Sequence, residues 1–143
     1  MAESVRVIAN ALRSDGHRVF DFTDPELRDD GLDKFCFNAS SWSGKPLSEI
    51  DWIEFLHYDA TKRAFASDKA GVDWADVVLM ILPCGRSAHM EAGYAIGRGK
   101  LLYIIGELPL GEFDTMHLFA HRHFRVHQMY LLLDALNKAR VYP

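Results

Sequence analysis

The chain reads as an α/β protein: a parallel sheet with helices on both faces. Three observations predict this. Two unbroken apolar runs, Val77–Leu82 and Leu101–Ile105, have the length of strands. They show no polar alternation, as expected for strands of a parallel sheet buried on both faces. Amphipathic helical segments stand near both ends, and a third helical stretch lies between the two apolar runs.

Composition agrees with one domain over 1–143. The 143 residues are 49% apolar and carry evenly spread charge, enough for a packed core and unlike a disordered chain. A net charge of −4 argues against a nucleic-acid polymer as partner. The longest apolar run is far shorter than a membrane span, and no basic-then-apolar leader opens the sequence. Cys36 and Cys84 lie far apart without metal spacing. A reduced, cytoplasmic protein is the expectation.

In residues 3–15, Val5, Ile8, Ala9 and Leu12 recur at helical spacing, and Gly16 is a natural stop. Val19–Phe22 reads as a short strand of the sheet. A parallel α/β domain normally opens on a strand, whereas this sequence opens on a helix. Residues 23–47 read as a loop, with Pro25, Gly31, Gly44 and Pro46. A loop of that length inside a compact domain points to a lid or binding loop. Its aromatics, Phe35, Phe37 and Trp42, either grip a ligand or pin the loop to the core.

Ile50–Tyr58 reads as a short helix and Ala60–Ala75 as a longer one. Phe65, Val72 and Ala75 share a face of the second, and Asp68 falls on that face. An aspartate there is either held by hydrogen bonds or borders a cavity.

After the first apolar run, Pro83 stops the strand and Gly85 frees the turn. Ser87 is the expected N-cap of the next helix. Met90, Tyr94 and Ala95 are its apolar residues. Gly93 and Gly97, one turn apart, are expected to let it lie close to the sheet. Glu91 falls in its first turn, at the carboxyl end of a strand, where open α/β sheets bind ligands. The helix N-terminus favours the ionised carboxylate, which suits a nucleophile. The plainer reading is a glutamate that satisfies a solvated helix end.

Beyond Leu101–Ile105, residues 107–113 read as a loop. Asp114–His121 reads as a short helix and Phe124–Val126 as an edge strand. Met129–Arg140 reads as a closing helix, with Met129, Leu132, Leu133 and Leu136 inward and Arg140 at its negative end.

Two constellations fall short. His117 and His121 have the i, i+4 spacing of zinc ligands, with His123 and His127 nearby. No Glu follows His117 and no cysteine is close, so a solvated histidine face or a subunit contact is expected, and no metal. Cys84, Gly85 and Arg86 resemble a phosphatase loop. That chemistry needs an arginine six positions after the cysteine, where Met90 stands. The loop can still hold an anion through backbone amides and Arg86. With no dinucleotide fingerprint and no phosphate loop, no cofactor is expected.

The segment Phe65–Ile105, centred on ASDKAGVDWADVVLMILPCGRSAHMEAGYAIGRGK, resembles the nucleoside 2-deoxyribosyltransferase family. The likeness extends from Val5 to about Leu136 and includes GHRVFDF and LSEID. Its most specific part is an Asp on the helix before a buried strand, a small-residue loop with Ser, then Glu followed by Ala-Gly. The resemblance implies a flavodoxin-like or Rossmann-like order whose first strand, ahead of the first helix, is missing here. It implies that Glu91 attacks C1′ of deoxyribose and that Asp68 handles the leaving base. It places the sugar's 5′ end, as hydroxyl or phosphate, at Gly85, Arg86 and Ser87. Asp114 and Met116 match residues that one subunit lends to its neighbour's site. The implied partners are a small nucleoside or nucleotide and further copies of the chain. Related activities are deoxynucleoside 5′-monophosphate hydrolysis and cleavage of nicotinamide dinucleotides. A non-enzymatic nucleotide-binding module is the remaining reading.

Overall fold

The computed structural model describes residues 2–35 and 44–141, with side chains of the last helix described as far as Ala139. The roles read for Phe37, Trp42 and Arg140 fall outside that description.

The sequence condenses into five α-helices and three strands among these residues. They are α1 (Ala2–Ser14), α2 (Trp52–His57), α3 (Asp59–Trp74), β1 (Val77–Leu82), α4 (Arg86–Gly97), β2 (Leu101–Gly106), β3 (Arg122–Phe124) and α5 (Met129–Val141). The sheet runs β1–β2–β3 and both pairings are parallel. Val77 lies opposite Leu101, and Tyr103 lies opposite Arg122. The expected parallel α/β architecture, with helices on both faces, is what forms.

Side-chain alternation divides β2 between two cores. Tyr103 and Ile105 face α1 and α5, where they meet Ile8, Leu12, Leu132 and Leu136. Leu102 and Ile104 face α4 and meet Met80, Ala92 and Ala120. Ile105 and Leu132 are fully buried. Of the positions read as inward in the first and last helices, Ile8, Leu12, Met129, Leu132, Leu133 and Leu136 build one core.

Several expectations are corrected. Val19–Phe22 joins no ladder. Val19 packs on the α1–α5 core, but Asp21 is buried and bends the chain. Its Oδ1 accepts the backbone N–H of Thr23 at 2.9 Å and the Thr23 hydroxyl at 2.6 Å. That turn takes the segment off the line a strand needs. β1 is half-buried and not enclosed: only its Met80 is buried, because among the described residues β1 pairs on one side alone. The connection to β3 contains a 3-10 turn, Thr115–Phe119, in place of the expected helix Asp114–His121. The last strand is Arg122–Phe124 and not Phe124–Val126, since Val126 opens a second 3-10 turn. Gly93 and Gly97 face outward with open space around them; Ala92 and Ala95 lie inward. Phe65 is exposed, so it leaves the face that Val72 buries. Among the described residues no helix is long and apolar enough to cross a membrane.

Candidate functional site

α3 leads into β1 and α4 leaves it; α4 packs on β1 and β2, and α3 packs on α4. α4 begins at β1's carboxyl end. A rise of about 1.5 Å per residue puts Glu91 roughly 8 Å down α4, and Asp68 roughly 9 Å up from the end of α3. The charge of Asp68 reaches Glu91, so the two carboxyls lie near one another between the helices.

A clamp near the C-terminal ends of α3 and α4 sets this register. Tyr94 OH donates to Asp73 Oδ1 at 2.7 Å, and Lys100 Nζ donates to the Asp73 carbonyl at 2.8 Å. Lys69 and Arg98 also pair with the Asp73 carboxylate. Lys69 and then Tyr94 pull that carboxyl down to about 2. Asp68 stands five positions before Asp73, and Glu91 three before Tyr94, so the clamp aligns the pair about a turn away.

Both carboxyls are raised from their ordinary values. Burial raises Asp68, partly opposed by the charge of Arg28. Burial also raises Glu91, and the charge of Asp68 adds to it. The expected pull of the helix N-terminus toward the ionised form of Glu91 is therefore outweighed by burial. The N-cap is Gly85 and not Ser87, so α4 starts at Arg86 and Glu91 is its sixth residue. The dipole effect fades after the first turn, and desolvation wins.

Arg28 was not singled out from the sequence. It is 4% exposed and binds Asp30 through two hydrogen bonds, Nε–Oδ2 at 2.7 Å and Nη2–Oδ1 at 3.0 Å. Its guanidinium lies 3.7 Å over the Phe20 ring. That ring sits against Gly71, where an added Cβ would meet ring carbons at 2.7–2.8 Å. Arg63 grips Asp33 with two bonds, and Ser67 Oγ donates to the Asp33 carbonyl at 3.1 Å. The long loop thus closes on the stretch of α3 around Asp68 and brings a buried cation to it. Phe35 packs under Arg63, so it pins the loop. Composition marked this segment as a loop, but nothing local marked Arg28 among so many charges.

Gly85, Arg86 and Ser87 are exposed at the start of α4. Asp114 and Met116 are also exposed. Asp114 Oδ1 accepts the Met116 N–H at 2.8 Å and so caps the 3-10 turn. The histidine spacing does not make a helix face. His121 Nδ1 accepts the Leu102 N–H at 3.1 Å, while the His121 N–H donates to the Leu102 carbonyl. His117 instead meets His89 across the connection, Nε2 to Nε2 at 3.1 Å. Among the described residues no group of three or more His, Cys, Asp or Glu side chains is placed to hold a metal. No protein-family model, curated protein or solved structure matches the chain.

Proposed function

We propose that this protein cleaves the N-glycosidic bond of 2′-deoxynucleosides and passes the deoxyribose to another base or to water. The observation that carries the reading is the Asp68–Glu91 pair: two half-buried carboxyls on neighbouring helices, each raised, one feeling the other's charge. Glycoside cleavage needs one protonated and one ionised carboxyl beside the same bond. Two like charges resist ionising together, which favours a pair that carries one proton. The charge of Asp68 raises Glu91 in the free protein, so the reaction requires that proton on Asp68 once the substrate is bound.

In the reaction the Glu91 carboxylate attacks C1′ as the C1′–N bond breaks. The leaving base takes the Asp68 proton, and the sugar is held as a glycosyl ester of Glu91. An incoming base, or water, loses a proton to Asp68 and attacks C1′, freeing Glu91. The oxocarbenium-like transition states are stabilised by the Glu91 charge. Arg28 biases Asp68 toward ionisation, which suits its taking the proton back in the second half. Gly85, Arg86 and Ser87 meet the sugar's 5′ end, and the exposed Arg86 favours a 5′-phosphate over a bare hydroxyl. That makes monophosphate hydrolysis the second reading. Asp114 and Met116 serve a neighbouring copy's site in a homo-oligomer. The resemblance of Phe65–Ile105 to nucleoside 2-deoxyribosyltransferases supports the same roles.

The test incubates the protein with deoxynucleosides, their monophosphates and nicotinamide dinucleotide, with and without a second base, followed by chromatography. With a 2-fluoro-sugar substrate the wild type should gain the glycosyl mass, and Glu91→Ala should not. Activity should fall at least about a thousandfold in Glu91→Ala. Cleavage that survives this variant overturns the covalent route. No cleavage of any substrate, with nucleotides still bound, leaves the binding-module reading in its place.

A further inference from the structure

We infer that His89 and His117 form a two-histidine site for a divalent transition-metal ion of the zinc, nickel and copper class. The site joins the helix bearing Glu91 to the turn between Asp114 and Ala120. The inference stands apart from the reaction above, because neither imidazole is assigned a step in it.

The two Nε2 atoms lie 3.1 Å apart, with the rings stacked at a centroid distance of 5.3 Å. Two nitrogens bound tetrahedrally to one ion at about 2.0–2.1 Å stand about 3.3–3.4 Å apart. The observed gap therefore needs to open by only a few tenths of an ångström.

The tautomer of His89 is set by its other nitrogen. Nδ1 lies 2.9 Å from the Gly85 carbonyl oxygen, which can only accept. Nδ1 thus carries the hydrogen, and Nε2 presents a lone pair that accepts the His117 Nε2–H. Metal binding takes the place of that hydrogen, with His117 passing to its Nδ1–H tautomer. An Nδ1–H held by a backbone carbonyl is the usual outer support of a metal-binding histidine. The second histidine is held through its backbone: His123 Nε2 donates to the His117 carbonyl at 2.7 Å. Cys84 Sγ lies 3.8 Å from Nδ1 of His89, the nitrogen that the ion does not take. It is therefore not a ligand, and water fills the remaining positions. Nitrogen ligands with water suit this class of ion better than magnesium or calcium.

Cobalt(II) is titrated into the full-length protein, with visible absorption as the readout and zinc as competitor. Long-range nitrogen–proton NMR of the imidazoles follows zinc addition in the wild type. One equivalent should bind. The Nε2 resonances of His89 and His117 should shift together, and His89→Ala and His117→Ala should each weaken binding at least about tenfold. His127→Ala, an exposed histidine elsewhere, should leave binding unchanged within about twofold. The wild-type NMR result decides even where a variant folds poorly. No binding at about 1 mM metal, which means a plain imidazole–imidazole hydrogen bond, overturns the inference. So does binding that shifts other histidines, or that survives loss of either residue.

Discussion

At Asp68 and Glu91 stability and the proposed chemistry pull apart. Each carboxyl is raised by burial, so its charged form is favoured less in the folded chain than in the unfolded one. A raised acid is at no disadvantage while both states are protonated. Its stabilising balance is lost as pH rises through the folded value. The neutral amide avoids that cost. Glu91→Gln should therefore melt higher than the wild type at pH 7, although it cannot form the glycosyl ester. The gap should open as the pH passes the usual glutamate value of 4.5 and should close below it. Asp68→Asn should behave likewise from 3.8 upward, by less, since the charge of Arg28, itself paired with Asp30, already offsets part of the burial cost of Asp68. Thermal melts of the three proteins from pH 4 to pH 8 measure this; amide variants that melt lower than the wild type at pH 7 would contradict it. Asp73 has the opposite sign. Its carboxyl is held down to about 2, so its contribution is present above 3.8 and fades as the pH falls toward 2.

At the scale of elements, what was legible depended on where the signal resides. β2 and α5 announce themselves: β2 is an unbroken apolar run because each of its faces is buried in a core, and the apolar residues of α5 recur at helical spacing and meet one core. Val19–Phe22 carries the same apolar signal, yet forms no strand. A ladder needs a partner, and the buried Asp21 turns the chain away first. Glu91 was identifiable as a helix residue beside a strand end. Its pairing with Asp68 rests on a register between two helices that Tyr94 and Asp73 set, and no local pattern reports that. The His89–His117 contact joins residues 28 positions apart and is equally invisible to spacing.

The packing of the loop on α3 gives a prediction at this scale. Gly71 leaves room for the Phe20 ring, with Arg28 on the ring. In Gly71→Ala the new methyl meets that ring at 2.7–2.8 Å. A ring cannot fold away as a flexible side chain can, so it must move and take Arg28 with it. The variant should lose about 1–3 kcal/mol by denaturant unfolding. Its activity should also fall, through the Arg28 charge that reaches Asp68. A variant as stable and active as the wild type would show that Phe20 has room to shift.

At the scale of the whole molecule, the question is what covers the connection between β2 and β3. Leu110, Phe113, Met116, Leu118 and Phe119 are all exposed, with Leu118 at 84%. Met90, beside Glu91, is 78% exposed. Apolar side chains gathered in one short segment of a water-exposed surface mark a place of contact more often than a free face. The same segment carries Asp114 and Met116, which the proposed mechanism lends to a second copy's site. A closed symmetric pair buries both copies of such a patch at once. The chain should therefore sediment as at least a dimer at micromolar concentration. Phe113→Glu with Leu118→Glu, two exposed positions that cost the fold little, should yield monomer with an unchanged melting temperature. If the site is shared, that monomer should lose most nucleoside cleavage, about tenfold or more, while its isolated Asp68–Glu91 pair keeps the same pH-dependent melting. A wild-type monomer in the ultracentrifuge would remove the neighbour from the mechanism. Asp114 and Met116 would then have to act within one chain or not at all.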